Sequence, residues 1–433
     1  MIDINLLRND PDLVRAAIRN KHATVDLDLL IDLDIQYVSL LREVEEKRAE
    51  RNRLASLMKG GKPDPSAIAQ ARALREDLVT MEAALANKKL EFTALYRKVP
   101  NIPTADTPIG HSEEDNQVVR EWGVPRKFEF QVRNHAEIAF YHGWIDKERA
   151  AKVAGSRFAY LKGDLVKLQF ALIGFVLERL TDEVFIAQLV AEHNLPISTK
   201  PFLPVLPPYM IRTPIYDAMD RLEPVDERYK IDGEDIWLQG SAEHVLGSMH
   251  VEETFDEKEM PIRYLGYATS FRSEAGAAGK DMEGIIRLHQ FDKLEMESFS
   301  TSDSSHDEHL LFVAIQERLM ELLGLPHRKL QKCTFDIGKP NAKGSDIEVW
   351  LPGQGKYRET HTADYMTDYQ ARRLNTRVRR AGGALEFVHT NDATAFACGR
   401  TLVAIIENYQ NEDMSVDIPE ALRSHMGGRE RLG

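Results

Sequence analysis

Between Phe271 and Glu295 the chain sets out an arginine, an aromatic ring and a carboxylate in an order suited to an anion, a flat base and an amine. The segment runs Phe271-Arg272-Ser273-Glu274-Ala275-Gly276-Ala277-Ala278-Gly279-Lys280-Asp281 and then Gly284-Ile285-Ile286-Arg287-Leu288-His289-Gln290-Phe291-Asp292-Lys293-Leu294-Glu295. Two strand-like runs flank a polar, glycine-rich loop, which predicts a β-hairpin. Side chains alternate along a strand, so Leu288, Gln290, Asp292 and Leu294 share one face and His289, Phe291, Lys293 and Glu295 the other. One sheet surface would then hold a guanidinium for phosphate, a ring for stacking and a carboxylate for an amine or hydroxyl. The same residues also describe a solvated hairpin of mixed charge, and single-strand logic favours that plainer reading. No GxxxxGK[ST] loop and no GxGxxG after a strand is present, so nucleotide binding would use neither a P-loop nor a Rossmann site.

The elements that must position this hairpin read as mixed α and β. Leu165, Leu168, Leu172, Phe175, Val176 and Leu180 recur at helical spacing and predict a helix over 164–194. Helices are also expected over 304–323 and 400–411. Pro196 to Pro214 holds six prolines and should be extended or turning. Pro261–Phe271, Ile286–Phe299 and Asp346–Leu351 read as strands. Strands in the middle with helices around them predict an antiparallel sheet in an α+β domain.

The first hundred residues differ. Leu33, Tyr37, Leu40, Val44, Leu54 and Met58 step by fours and threes, with Lys47 and Arg51 in the intervening seam positions. Leu74, Leu78, Met81, Leu85, Lys88, Phe92, Leu95 and Val99 repeat the alternation, which is coiled-coil a/d spacing. Between them Gly60-Gly61 and two prolines break the helix, and Ser66 can cap the next one. Equal seams around a short breaker predict an antiparallel helical hairpin projecting roughly 40 Å. A hairpin packed on the body is the commoner fate of such a pattern. The narrow seam favours a projecting rod. Lys47, Arg48, Arg51, Arg53, Lys59, Lys62, Arg72 and Arg75, crowded in its tip half, could follow RNA phosphates. Val99-Pro100-Asn101-Ile102-Pro103 ends the second helix. The division expected is an arm at 1–100, a linker at 101–122 and a body at 123–433.

Composition narrows the class. The formal net charge of the 433 residues is −13. Residues 1–100 carry 17 basic and 16 acidic side chains, so the remainder holds a net −14. An acidic body with a relatively basic arm suits an enzyme that meets a polyanion through one appendage, and equally a plain acidic enzyme. No apolar run approaches the roughly 18 residues of a membrane helix. Met1-Ile2-Asp3-Ile4-Asn5 has no signal-peptide pattern. Cys333 and Cys398 are the only cysteines, without zinc spacing. A reducing cytoplasm is the expected setting, with both thiols inert.

The order of residues from Phe271 to Glu295 resembles motif 2 of the class II aminoacyl-tRNA synthetases in its seryl form. Residues 400–422, from Arg400-Thr401-Leu402-Val403 through Ile418-Pro419-Glu420-Ala421-Leu422, are similar to motif 3 of that family. Asp368-Tyr369-Gln370-Ala371-Arg372-Arg373 and Gly155-Ser156-Arg157-Phe158-Ala159-Tyr160-Leu161-Lys162-Gly163 resemble further seryl-type blocks. The resemblance runs nearly end to end. It implies a class II antiparallel sheet surrounded by helices, an N-terminal coiled-coil arm that binds tRNA(Ser), and formation of a seryl-adenylate from serine and ATP with Mg²⁺. It further implies a homodimer with each arm reaching tRNA at the other subunit, and neither a membrane nor a DNA partner.

Roles follow from the same resemblance. Arg272 would hold the ATP α-phosphate and then the serine carboxylate. Glu274 would sit at the adenine edge, Phe291 would stack on the ring, and Arg400 would sandwich adenine or touch the γ-phosphate. Ser273, Thr360 and His361 would complete the ATP site. Glu359 would bind Mg²⁺ with Thr362. Serine would be read by Ser241, Ala242, Glu243, Arg272, Glu295 and Thr394. Three stretches depart from the family pattern. Ser241-Ala242-Glu243 replaces the usual Thr-Ala-Glu. Glu359-Thr360-His361-Thr362-Ala363-Asp364 replaces Glu-Ile-Ser-Ser-Cys-Ser. Asp392-Ala393-Thr394 replaces Asn-Gly-Ser. These changes cluster in the amino-acid pocket. Thr181–Pro204 also looks longer than the usual approach to motif 1, where dimer contacts would lie. Two other readings compete: a paralogue that activates a small amino acid for a non-tRNA acceptor, which tends to lack the arm, and a non-catalytic RNA-binding protein, which predicts loss of Arg272, Glu274, Glu359 or Arg400. A coiled-coil scaffold would leave the ordered motifs as coincidence.

Overall fold

The computed structural model describes residues 1–58, 64–275 and 283–433. The chain divides into two compact units, Met1–Ile102 and Pro103–Gly433. The first opens with α1 (Ile4–Asn9) and α2 (Pro11–Asn20), followed by two long helices, α3 (Leu27–Met58) and α4 (Pro65–Tyr96). Each long helix has 32 residues, or about 48 Å of rise. Val44, Leu74 and Leu78 are buried between them, flanked by Leu54, Met81 and Leu85. Tyr37 stacks on Phe92 at 5.8 Å nearer the base. Seam position Lys47 pairs with Asp77 at 3.0 Å across the hairpin. Arg48 reaches Glu82 and Arg72 reaches Glu76, while Arg51, Arg53 and Arg75 are exposed. Lys59 and Lys62 lie outside the described residues. The cap of α4 is Asp64, which accepts a hydrogen bond from the Ser66 amide, with Pro65 in the first turn. Ser66 is therefore inside the helix. An aspartate before proline outcompetes it because proline is favoured at the first helical position.

The second unit is built on eight strands: β1 (Gln117–Trp122), β2 (Leu203–Val205), β3 (Ile262–Phe271), β4 (Gln290–Ser300), β5 (His327–Gln331), β6 (Lys343–Leu351), β7 (Lys356–Thr367) and β8 (His389–Ala397). Their order across the sheet is β1-β5-β6-β7-β8-β4-β3-β2. All neighbours are antiparallel except β2 and β3, which run parallel. β1 lies within the stretch expected as linker, paired to β5 from Gln117 opposite Gln331. Its side chains are mostly exposed, so it shows no apolar alternation that the sequence could have revealed. The helix expected over 164–194 is two, α5 (Asp164–Leu180) and α6 (Glu183–Glu192), because Asp182 caps a new start through the Val184 amide. α7 (Thr213–Ala218), α8 (Ser305–Leu322) and α9 (Cys398–Asn408) complete the frame. Residues 286–289, expected as strand, precede β4 in irregular backbone.

One face of the sheet packs on helices. Leu294 and Met296 of β4, Ala363 of β7, and Ala393, Ala395 and Phe396 of β8 share a core with Leu172 and Phe175 of α5, Leu311, Phe312 and Ile315 of α8, and Leu402 and Ile405 of α9. The other face carries Phe291, Lys293 and Glu295, as the alternation predicted, and is left open as a cavity. Among the described residues no helix is long and apolar enough to cross a membrane. Cys333 and Cys398 are buried and unpaired, and burial pushes the Cys398 thiol well above its usual range.

Candidate active site

The cavity on the open face measures about 370 Å³. β4 supplies Phe291, Lys293 and Glu295; β7 supplies Glu359, Thr360, Thr362 and Asp364; β8 supplies Asp392 and Thr394; Arg400 stands in the first turn of α9. A register shift between Ile347 and Glu348 leaves Thr360 opposite no residue of β6. Without that bulge Glu359 would point away from Thr362, since adjacent parity puts side chains on opposite faces. The bulge brings both to the cavity. A second shift at Ala395 moves Phe396 into the core and returns Ala397 to the cavity wall. Behind the sheet, the fully buried Gln316 of α8 donates from its Nε2 to both the Thr362 and the Thr394 carbonyls, each at 2.9 Å. It fixes the spacing of the two strands that present those threonines.

The polar groups fall into two sets. In the first, Arg272 donates through Nε to the Gly240 carbonyl at 2.9 Å and lies over the Phe291 ring at 5.3 Å. Arg287 holds Glu274 at 2.8 Å. Arg400 Nη1 contacts the Glu359 carboxylate at 2.9 Å and its carbonyl at 2.8 Å. The surrounding protein favours the neutral form of Glu359, but Arg400, Lys332 and Arg272 outweigh it and keep the carboxyl below its usual range. Gly284 has φ +63, and any Cβ there would overlap His135 Nε2. Glycine is required at that position on both counts.

In the second set Lys293 is central. Its ammonium lies 2.7 Å from Glu295 and 3.8 Å from Glu243, and donates to Ser241 Oγ at 2.9 Å. Burial lowers its proton affinity, yet Glu243 and Glu295 raise it further, so Lys293 is charged. Glu243 is depressed well below the carboxylate range: burial opposes ionisation, but Lys293, His244 and Arg221 prevail. Glu295, desolvated beside other acids, is pushed well above that range. Arg221 completes the set at 3.2 Å from Asp392 and 3.7 Å from Asp364.

Most of the residues expected from sequence meet here. Arg272, Glu274, Phe291, Glu359, Thr360, Thr362, Arg400, Glu243, Glu295 and Thr394 line one cavity. Four do not. Ser273 turns its hydroxyl to the Asp226 carbonyl. His361 lies on the helix-facing side of β7, edge-on to Phe396 at 5.7 Å and bonded to Thr360 Oγ1. Burial holds its imidazole neutral, with a pKa of about 3. Ser241 and Ala242 are wholly buried behind the wall, and Ser241 bonds to Lys293 and Glu243. In turn, the sequence reading gave no role to Arg221, Arg287, Lys293, Asp364 or Gln316. Lys293 stands on the face that alternation predicts, without a motif to mark its role; Arg221 sits in a polar stretch with no motif.

Glu359 and Thr362 offer hard oxygens on one wall of the cavity, and no cluster of three or more His, Cys, Asp or Glu side chains able to hold a metal is found among the described residues. One carboxylate and a hydroxyl fit Mg²⁺, which keeps waters and uses substrate phosphates rather than a full protein cage.

Comparison with known proteins agrees with this geometry. The family model for the seryl-tRNA synthetase N-terminal domain matches residues 1–103. The model for the class II tRNA synthetase core domain (G, H, P, S and T) matches residues 227–409. The serine–tRNA ligase of Symbiobacterium thermophilum is 39% identical over 430 residues, covering 98% of both chains. That of Thermodesulfovibrio yellowstonii is 38% identical over 99% of each. Among solved structures, the ATP complex of Pyrococcus horikoshii seryl-tRNA synthetase superposes with a TM-score of 0.88 at 34% identity, covering 100% of this chain and 99% of that one. With its two-part architecture, its cavity and its end-to-end identity to these relatives, the chain belongs to the seryl-tRNA synthetase family of class II aminoacyl-tRNA synthetases.

Proposed function

We propose that the protein is a serine–tRNA ligase, which activates serine with ATP and passes it to the 3′ end of tRNA(Ser). The observation that carries this reading is the pairing of two chemically distinct sets in one cavity: three arginines around Phe291 and Glu359, and a buried carboxylate–lysine set beside them. In adenylate formation a carboxylate attacks the α-phosphorus, and both partners are anionic. The enzyme must neutralise charge and align the attack. Arg272 lies between the two sets and can touch both the α-phosphate and the amino-acid carboxylate. Phe291 takes the adenine face, Glu274 its edge, and Arg400 turns from Glu359 to the γ-phosphate. Glu359 and Thr362 hold Mg²⁺, which supplies charge neutralisation on the phosphates when bound. Glu243 and Glu295 receive the α-ammonium. Thr394 offers its hydroxyl to the serine side chain.

The helical hairpin carries the tRNA, the working unit is a homodimer, and the compartment is the cytoplasm. Retention of Arg272, Glu274, Glu359 and Arg400 on the cavity wall speaks against a non-catalytic RNA-binding role. The arm of Met1–Ile102 speaks against a non-tRNA acceptor. The test is charging of tRNA(Ser) transcripts with labelled serine by the full chain. Acid-stable label that becomes base-labile on tRNA(Ser), and stays absent on tRNA lacking serine identity, supports the proposal. Adenylate formation with no transfer to any tRNA contradicts it.

A further inference from the structure

The second set holds a device that the serine reading does not require. Asp364 and Asp392 stand directly opposite each other on β7 and β8, both lining the cavity. Like charges in that position repel. One cation, Arg221, lies between them, at 3.7 and 3.2 Å. It is held in place independently. Arg228 donates to the Arg221 carbonyl at 3.1 Å. The neighbouring Asp220, at φ +59, is fastened by Arg373 at 2.8 Å, Lys339 at 2.6 Å and Tyr369 at 3.0 Å. Even so, the group is not saturated. Asp364, only 7% exposed, has an Oδ1 with no hydrogen-bond partner, and Arg221 Nε has none. One guanidinium cannot neutralise two buried carboxylates, and burial accordingly pushes Asp392 up to about 8.

Burial favours the protonated forms of Glu295 and Asp392, so the acceptor left unmet on the cavity wall is Asp364 Oδ1. A donor arriving between Asp364 and Asp392 meets that oxygen, and a cation there also supplies the second positive charge the pair lacks. The floor therefore rewards a substituent that donates and penalises one that cannot. A buried acceptor left facing a methyl group loses its solvation without return.

We propose that Arg221, Asp364 and Asp392 read the substrate's β-substituent, and that the pocket takes α-amino acids whose β-substituent donates hydrogen bonds: a β-ammonium, as in L-2,3-diaminopropionate, alongside the β-hydroxyl of serine. Arg221 is the positioning residue that keeps the two aspartates together at the cavity floor. The inference rests on the serine-activating reading, and the experiment separates the two. Serine-dependent ATP–pyrophosphate exchange is measured on the intact protein with L-2,3-diaminopropionate and L-2-aminobutyrate as competitors or substrates. Aminobutyrate has the same heavy-atom count as serine and no β-donor. The expected result is that diaminopropionate competes within roughly tenfold of serine, while aminobutyrate is at least about a hundredfold weaker. In Asp392→Asn the ratio of kcat/KM for diaminopropionate to that for serine falls about tenfold or more. The ratio cancels any general loss of active protein. Arg221→Lys, which keeps the charge, retains the preference for β-donors over aminobutyrate, whereas Arg221→Met loses it. If serine supports exchange but diaminopropionate does not compete, or aminobutyrate competes as well as serine, the inference is overturned while the ligase reading stands. If serine supports no exchange, the ligase reading itself fails, and the inference with it.

Discussion

The two sets of polar residues in the cavity neutralise charge in opposite ways. Around Phe291 each arginine is already engaged with a protein acceptor: Arg272 with the Gly240 carbonyl, Arg287 with Glu274, Arg400 with Glu359. These partners are exchangeable, and phosphate oxygens can replace them. Around Lys293 the groups are wholly or nearly buried and packed against one another. Nothing there can swap without leaving a desolvated charge. On the proposed function the nucleotide side would therefore assemble on binding, whereas the amino-acid side stands built beforehand. Affinity for a common nucleotide tolerates rearrangement. Discrimination among small amino acids needs fixed, desolvated groups.

The sharpest way to break this comparison is Arg272→Gln, because the proposed function has Arg272 touch both substrates. Exchange should fall about a thousandfold, with the KM values for ATP and serine both raised. A defect confined to one substrate would show that the sides do not share this guanidinium. Next in size is Glu359→Ala, which removes the carboxylate that holds Arg400 at 2.9 Å; exchange should drop on the order of a hundredfold with the far-ultraviolet circular dichroism unchanged. Glu359→Gln should cost less, with part of the loss recovered at high Mg²⁺. Gln316→Leu tests the support behind both threonines. It should cost roughly 1–3 kcal/mol of stability by leaving two carbonyls unpaired, and raise the KM for serine more than that for ATP.

The smallest effect at neutral pH lies behind the sheet, at His309. Both its ring nitrogens lack partners, and burial, helped by Lys343 and His306, holds its pKa at about 3. The folded value is below the unfolded one, so the neutral ring contributes stability above about pH 6.5 that is lost as pH falls toward 3. At pH 5 the loss is about 2 kcal/mol. His361, also near 3, adds to it. In His309→Gln the unfolding midpoint should decline less steeply between pH 7 and 4, as read by differential scanning calorimetry. An unchanged slope would show that the site is hydrated when protonated.

The same contrast marks what could be read from the amino-acid sequence. Where function follows period, the residues were legible. The seam of α3 and α4 and the Phe291-Lys293-Glu295 face needed only spacing, and the ordered resemblance named most of the other residues that line the cavity. What stayed hidden depends on irregularity or distance. A single bulge at Thr360 puts Glu359 and His361 on opposite faces, where alternation alone would keep them on the same one. Arg221 reaches Asp392 across 171 positions of chain from a loop with no motif. β1 pairs at the sheet edge with mostly exposed side chains and so left no apolar pattern. Asp64 took the cap expected of Ser66 because the proline between them sets where the helix begins.

The central claim is one cavity with an exchangeable nucleotide side and a prebuilt amino-acid side. It is tested most directly by ATP–pyrophosphate exchange in the presence of each of the twenty standard amino acids in turn. The account predicts exchange with serine, weak or absent exchange with threonine, and none with alanine or glycine, which leave the buried acceptors unpaired. Alanine or glycine supporting exchange at a rate near that of serine would contradict it, for the buried set would then bind the amino acid without reading its side chain.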